Sequence, residues 1–313
     1  MTRKRWIVAA AAFVLCLGVP LVVDQDYQLN VLFRVFLFAG LGLAWNLVGG
    51  YAGQLSLGHA AFFGIGGYGL ALFHGKLGVP IWAALGLGVI TAVAAAFVIG
   101  RVAFRLRGPY FALATIAFAE VLRLSAKNLT NITGGDVGYQ APALFDDSPS
   151  KWFYGSAVVL TAVAFTVTAV TARSRFGYSL QAIREDEDTA MACGINAART
   201  KLRALLVSAA LTAFGGGLYA SLFLFIVPDQ MLSIDISNEI AIVAMLGGAG
   251  TLIGPIVGAV LLESASEVFK NVFHEAHLLI YGVLIVLVVL FLPEGIVGAV
   301  TTWWRRRNHR GGR

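Results

Sequence analysis

Charge is scarce in this chain of 313 residues: Asp, Glu, Lys and Arg together make up 13%, where an ordinary soluble domain carries roughly 25%. That shortage excludes a soluble enzyme of this length. Apolar residues reach 58% and the mean hydropathy is +0.79, so the chain reads as a polytopic membrane protein. Disorder is excluded by the same apolar content. Cysteine is also scarce: Cys16 and Cys193 cannot build a disulfide framework or a cysteine-rich metal site. What is abundant is uninterrupted apolar sequence, in runs far longer than the ~10-residue alternating segments of a transmembrane β-barrel. Glycine is in surplus, at 36 residues, which suits closely packed or broken membrane helices.

About 20 apolar residues carry a helix across a bilayer core. Stretches free of Asp, Glu, Lys and Arg are 6–23, 35–75, 77–100, 108–119, 152–172, 204–228, 240–262 and 276–293. The run 35–75 is long enough for two crossings, divided at Gly49-Gly50. The region 240–270 is interrupted by Gly247-Gly248-Ala249-Gly250 and Gly254-Pro255. Basic residues decide the parity. All but six of the 23 lie at Arg3–Arg5, Arg101–Arg107, Arg173–Arg203 and Arg305–Arg313. Placing these four clusters in the cytoplasm, as the positive-inside rule asks, puts both termini inside and requires an even number of spans. Splitting 240–270 gives ten. The expectation is therefore all-α: one transmembrane domain over 1–313, about ten helices, some short or broken. Trp303-Trp304 reads as an interfacial anchor before a basic cytoplasmic tail, 303–313. Residues 1–23 read as a retained first helix, because no Ala-x-Ala pattern closes the run as a signal peptide would.

The polar chemistry concentrates in 173–203, cytoplasmic by the same argument. Ser179 can cap a helix there, Gly194 can end it in the left-handed conformation, and Asn196 can cap the helix that re-enters the membrane. Leu180, Ile183 and Ala190 fall roughly on one face, with Glu185, Asp186, Glu187 and Asp188 spread around the others. A solvated loop helix is the plain reading. The length, the caps and the four adjacent acids point instead to a short helix, 179–194, presented to a cytoplasmic partner.

In this segment the sequence resembles the coupling loop of importer permeases powered by ATP-binding cassettes, specifically branched-chain amino acid permeases of the LivM type. Four stretches carry the resemblance: Gly49–Tyr68 (GGYAGQLSLGHAAFFGIGGY), Gly108–Glu120 followed by Thr133-Gly134-Gly135, Gly177–Gly194, and Met245–Pro255 (MLGGAGTLIGP). They span about two-thirds of the chain, in family order. The resemblance implies a permease subunit forming the path for branched-chain or related hydrophobic amino acids in a bacterial inner membrane. It implies no catalysis, no cofactor and no resident metal. It implies four kinds of partner: a LivH-like permease, LivG-like and LivF-like ATPase subunits, and a periplasmic or lipid-anchored amino-acid-binding protein. Membrane lipids surround it, and nucleic acid is not a partner. Arg184, Glu185, Asp186, Ala190 and Gly194 are the expected ATPase-coupling residues.

The residues themselves fit that picture. Gly53, Gly58, Gly64, Gly66, Gly67 and Gly69 let helices approach closely or unwind, and irregular backbone at membrane depth needs a cover of protein or water. Gln54, Ser56 and His59, with Thr133, Gly134 and Gly135, are candidates to line a translocation path; the competing reading is that such groups bond a neighbouring helix. Gly250, Gly254 and Gly258, at spacing four, suggest a helix buried against another. The echo of Gly49–Leu55 in Gly247–Leu252 hints at an internal repeat. Glu120 and Arg123 are placed to pair on one helix.

Other motifs are weak. Gly75-Lys76 lacks the phosphate-loop pattern, so the chain does not bind ATP by that route. His274-Glu275-Ala276-His277 lacks the zinc-protease spacing and reads as an outer loop. Two alternatives stay open: a permease for urea or short amides in the same family, and an ion-coupled secondary transporter. The second needs ionisable groups near the bilayer midplane, and the central parts of the proposed spans are almost free of them.

Overall fold

The computed structural model describes residues 3–21, 23, 25–106, 108–145, 149–272, 282 and 295–299. The span expected over 276–293, the His274–His277 motif and the tail 303–313 lie outside the described residues, save isolated Gly282.

Helices dominate. The first two are α1 (Arg3–Leu17) and α2 (Asp26–Asn46). A π-helical turn, Leu47–Tyr51, follows α2 without a gap, and the chain is irregular over 52–58 before α3 (His59–Leu77). The run 35–75 is thus divided where its glycines suggested. Gly78, in the left-handed conformation at φ 63°, closes α3: its N–H donates to His74 O, and the N–H of Val79 to Phe73 O. Then come α4 (Ile81–Ala103), α5 (Pro109–Asn128, with proline in its first turn), the short α6 (Thr130–Thr133) and α7 (Pro149–Thr171). Beyond them lie α8 (Arg175–Glu185), α9 (Glu187–Ala192), α10 (Ala197–Phe223), α11 (Pro228–Met231), α12 (Ile234–Gly248) and α13 (Gly254–Val272). The architecture is all-α as expected, and among the described residues one two-residue antiparallel pair stands beside the helices: β1 (Tyr139–Gln140) with β2 (Phe225–Ile226), in register Tyr139↔Ile226.

Among the described residues six helical segments are long and apolar enough to cross a membrane: 26–51, 81–103, 109–128, 150–171, 197–223 and 228–248. The other expected spans fall short for visible reasons. α1 has 15 residues; α3 is diluted by glycine and two histidines; α13 carries Glu263, Glu267 and Lys270. The region 240–270 is two helices, broken after Gly248. α13 returns along α12, and Gly258 makes the close approach: a Cβ there would meet the Val243 carbonyl oxygen. Gly250 sits in the break itself, so the spacing-four row belongs only in part to a helix face.

α2 lies centrally against α7, α10, α12 and α13, while α3 packs on α4 and α10. The α3–α10 crossing is close because glycine faces backbone on both sides: a Cβ on Gly66 would meet Ala213 O, and one on Gly216 would meet Phe63 O. This fixes the ends of the molecule. One end holds Gly50, Gly250, α8 and α9. The opposite end holds the β pair, α6 and α11, tied by ion pairs of Lys127 with Asp136 (3.1 Å) and Asp229 (2.9 Å). Arg123 pairs there with both Glu120, as its spacing suggested, and Asp229.

The segment 173–203 is built differently from its expectation. It forms two helices instead of one over 179–194. Ser174, not Ser179, caps the first, its Oγ accepting from Gly177 N at 3.1 Å; Ser179 lies inside α8 and donates to Arg175 O. The early start has a cause: Gly177 must sit on the end of α7, where a Cβ would meet Thr171 O. Asp186, extended at φ −157°, ends α8 and caps α9. Gly194 is left-handed at φ 86°, and Asn196 caps α10 through Arg199 N at 3.0 Å, both as the sequence suggested.

Candidate functional site

Two helix breaks meet at the end of the molecule that carries α8. Unwinding over 52–58 frees backbone groups that must find partners in a buried place. They do so on other helices. Trp45 Nε1 donates to Ser56 O (2.7 Å), Leu57 N to Thr115 Oγ1 (3.2 Å) and Ala60 N to Ser237 Oγ (2.8 Å). Ser56 Oγ lies 3.0 Å from His59 Nδ1, and His59 Nε2 lies 2.8 Å from Ser208 Oγ. Ser56 and His59 are wholly buried. Gln54 is half-buried, its amide 3.5 Å from Ala52 O.

The second break, between α12 and α13, is clamped by one side chain. Asn46 Oδ1 accepts from Gly250 N at 2.7 Å, while Asn46 Nδ2 donates to Thr251 O at 2.8 Å. Thr251 Oγ1 in turn accepts from Gly254 N at 3.0 Å and starts α13. Asn46 is the last residue of α2, so the two segments that echo each other in sequence are in contact in space: a Cβ on Gly50 would meet Gly250 N. Replacing Asn46 with leucine strands one donor and one acceptor, each at a cost of about 1–3 kcal/mol. The expected outcome is a clear fall in melting temperature of the solubilised protein, with Asn46→Asp recovering less than half because it supplies only the acceptor.

α8 reaches into this junction. Arg184 Nη1 donates to Gly50 O at 2.8 Å. A Cβ on Gly53 would stand 2.9 Å from Arg184 Cγ, and one on Gly250 would meet Arg184 Nη1. Gly53 and Gly250, at φ 67° and 80°, are where only glycine fits comfortably. Glu185, Asp186 and Gly194 are exposed at the surface of the segment, whereas Ala190 is buried with Ile183 and Ala197 beneath it. Asp186 Oδ1 accepts from Thr189 N at 2.6 Å, and this bond, with that to the Thr189 hydroxyl, holds its carboxyl below the usual range. Lys201, almost fully buried, donates to Glu187 Oε2 at 2.6 Å and ties α9 to α10.

The expected path residues fall into two groups that the fold keeps apart. Gln54, Ser56 and His59 precede or begin α3, whereas Thr133, Gly134 and Gly135 lie beyond its other end, where Lys76 Nζ donates to Asn131 O. α3, at 19 residues and 1.5 Å per residue, separates them by roughly 27 Å. Thr133 Oγ1 donates back to the end of α5 and the residue after it, to Ala126 O and Leu129 O. Among the described residues no group of three or more His, Cys, Asp or Glu side chains could hold a metal ion. Sequence reasoning passed over Asn46, Trp45, Thr115, Ser208 and Ser237. Asn46 carried a usable signal, as the polar residue just before Gly49-Gly50 in an otherwise apolar run.

The sequence model of the family described as "Branched-chain amino acid transport system / permease component" matches residues 27–289. The chain is 31% identical to the high-affinity branched-chain amino acid transport system permease protein LivM of Escherichia coli, over 95% of this chain and 76% of that protein. It is 27% identical to the permease protein BraD of Pseudomonas aeruginosa, over 83% and 91% respectively. A probable LivM of Methanocaldococcus jannaschii is 24% identical over 67% of each chain. No solved structure matches. With helices fit to cross a membrane several times and a family model covering most of its length, the chain belongs to the permease components of branched-chain amino acid transport systems.

Proposed function

We propose that this chain is the membrane-spanning subunit of an ATP-driven importer that carries branched-chain or related hydrophobic amino acids across a bacterial inner membrane. It works beside a LivH-like permease, with LivG-like and LivF-like ATPase subunits on the cytoplasmic face and a periplasmic or lipid-anchored binding protein on the other. The positive-inside rule puts α8, α9 and both termini in the cytoplasm, with ten spans. The segment 173–203 is the ATPase-coupling element. The observation that carries this reading is the seat of Arg184: a residue of the charged cytoplasmic segment bonded to the break in α2.

The exposed Glu185, Asp186 and Gly194 offer the contact to the ATPase, and Arg184 links that contact to the membrane helices. Gln54, Ser56 and His59 serve the cytoplasmic part of the path, and Thr133, Gly134 and Gly135 its outer part. Urea or short amides are the second reading for the solute, because the permease itself leaves selectivity largely to the binding protein.

Uptake of labelled leucine into cells expressing the full importer tests this. Expected is ATP-dependent uptake that Glu185→Lys reduces several-fold without changing the amount of chain in the membrane. Asp186→Asn keeps an acceptor for Thr189 N and is expected to spare uptake, whereas Asp186→Ala loses the cap and reduces it. The sign of its pH dependence follows from the depressed carboxyl: the cap is intact above the ordinary carboxylate range and weakens as pH falls through the folded value. Leucine accumulation driven by a proton gradient alone, without ATP, would overturn the importer reading. Tight urea binding by the cognate binding protein, with no response to leucine, isoleucine or valine, would overturn the solute.

A further inference from the structure

The half of α2 away from the coupling segment carries charges that neither helix break uses. Arg34 stands 3.4 Å from Glu263 Oε2 through Nε and 3.7 Å from Glu239 Oε1 through Nη2. Charge-assisted hydrogen bonds close at about 2.7–2.9 Å, so the guanidinium is held loosely. Its buried Nε has no hydrogen-bond partner, nor has Oε1 of Glu263, whose side chain is only 5% exposed. Glu263 sits midway along α13. A third carboxylate, Glu267, accepts from the Tyr27 hydroxyl. Among the described side chains three acids thus surround one cation inside a membrane protein, where ionisable groups are costly and mark function by default.

Beside this cluster lies a half-open cavity of about 400 Å³, within the ~300–1,000 Å³ range of small-molecule sites. Arg34, Asn30 and Glu267 supply its polar wall, and Val31, Leu222 and Phe223 its apolar wall. Asn30 Oδ1 is buried and also lacks a partner. The wall of the cavity therefore offers a loosely held guanidinium, an amide and a carboxylate, with more acidic than basic groups around them among the described side chains, and an aliphatic and aromatic surface between them. A lone cation would be repelled by Arg34, and a lone carboxylate by the acids around it. A molecule carrying both charges and an apolar side chain answers all three.

We propose that this cavity is a binding subsite for a zwitterionic α-amino acid with an aliphatic side chain. The Arg34 guanidinium donates to the carboxylate, the Glu267 carboxylate accepts from the ammonium, and Val31, Leu222 and Phe223 cover the side chain. Glu263 and Glu239 are positioning residues that hold the guanidinium. This rests on the reading of the chain as an amino-acid permease and adds a solute site on the half of α2 away from the breaks.

The test uses the assembled importer in membrane vesicles, with Cys16→Ser and Cys193→Ser removing the native thiols and Val31→Cys placing one in the cavity. Labelling by a membrane-impermeant maleimide is followed with L-leucine, isovalerate or isoamylamine present; the last two each keep one charged group. Leucine is expected to slow labelling several-fold, and neither half-molecule to do so. Arg34→Met should raise the leucine concentration for half-protection by about tenfold or more, the loss of one charged hydrogen bond. Because Arg34→Met could impair folding, Glu267→Gln gives an independent reading, with a smaller loss of protection expected. No labelling at all would show a cavity closed to water and overturn the proposal, as would equal protection by isovalerate or isoamylamine. Leucine uptake without protection overturns the subsite and leaves the permease reading intact. Absence of leucine uptake overturns the permease reading and this proposal with it.

Discussion

Gly66→Leu is expected to abolish recovery of folded, monodisperse protein, the largest stability effect of any single substitution in the described helices. The reason is what stands opposite. A Cβ at Gly66 meets the carbonyl oxygen of Ala213, and across the same crossing a Cβ at Gly216 meets the carbonyl oxygen of Phe63. These are backbone atoms of α3 and α10, so no side-chain rotation relieves the overlap; the helices must separate. Overpacking of a tight core costs about 1–3 kcal/mol and sometimes more, which sets the scale for Gly66→Ala. Leucine adds three further carbons to a space that has no room for the first. In a membrane, close backbone approach is itself a main source of helix association, so separating α3 from α10 removes attraction as well as adding strain. Gly86→Ala is the control: it lies on the exposed side of α4, with nothing within 4 Å of an added Cβ, and should leave the melting temperature unchanged or slightly raised. If Gly66→Leu melted within a degree or two of the unsubstituted protein, the close crossing would be refuted.

Gly66 was legible in the sequence as a position for close approach or unwinding, because a missing side chain has only a few physical uses in an apolar run, whereas its counterpart Gly216 went unremarked. The same holds for the breaks at Gly49-Gly50 and Gly247–Gly250, for the left-handed Gly194 and for the Asn196 cap, each set by chemistry within a few residues. Distant partners were not legible. Asn46 bonds Gly250 and Thr251, and no local rule links positions two hundred residues apart. Arg34, Glu239 and Glu263 were read as the edges of charge-free stretches, when their shared role is to meet one another. The division of 179–194 at Asp186 escaped because four adjacent acids look alike in sequence. Only the fold shows that Gly177 must start α8 early and that Asp186 turns its carboxylate to Thr189 N. Charge spacing along the chain says little about depth in a bundle, which is why the acidic and basic groups around α2 escaped a reading based on empty spans.

Arg184→Ala is expected to uncouple the importer: leucine uptake falls by about tenfold or more while the partner ATPases continue to hydrolyse ATP. The argument starts from where the guanidinium sits. It donates to Gly50 O just past the end of α2, and its Nη1 lies where a Cβ on Gly250, between α12 and α13, would stand. Gly250 N is bonded to Asn46, so α2, α8 and the break after α12 share one junction of a few atoms. On the proposed coupling role, a displacement of α8 by a partner would pass to both membrane segments through this contact, since packed junctions shift as units and do not deform smoothly. A hydrogen bond from a charged group is worth about 1.5–3 kcal/mol, a factor of roughly ten to more than a hundred in the population of the linked arrangement. Arg184→Lys keeps the charge but loses the planar fork, and should fall between the two. Glu185 provides the contrast, because Glu185→Lys is expected to weaken ATPase association, whereas Arg184→Ala, which removes the bond to Gly50 O, leaves the complex assembled and idling. Measuring uptake, ATP hydrolysis and co-purification of the ATPases on the same preparations separates these outcomes. Full uptake by Arg184→Ala in an assembled complex would show that the junction carries no coupling.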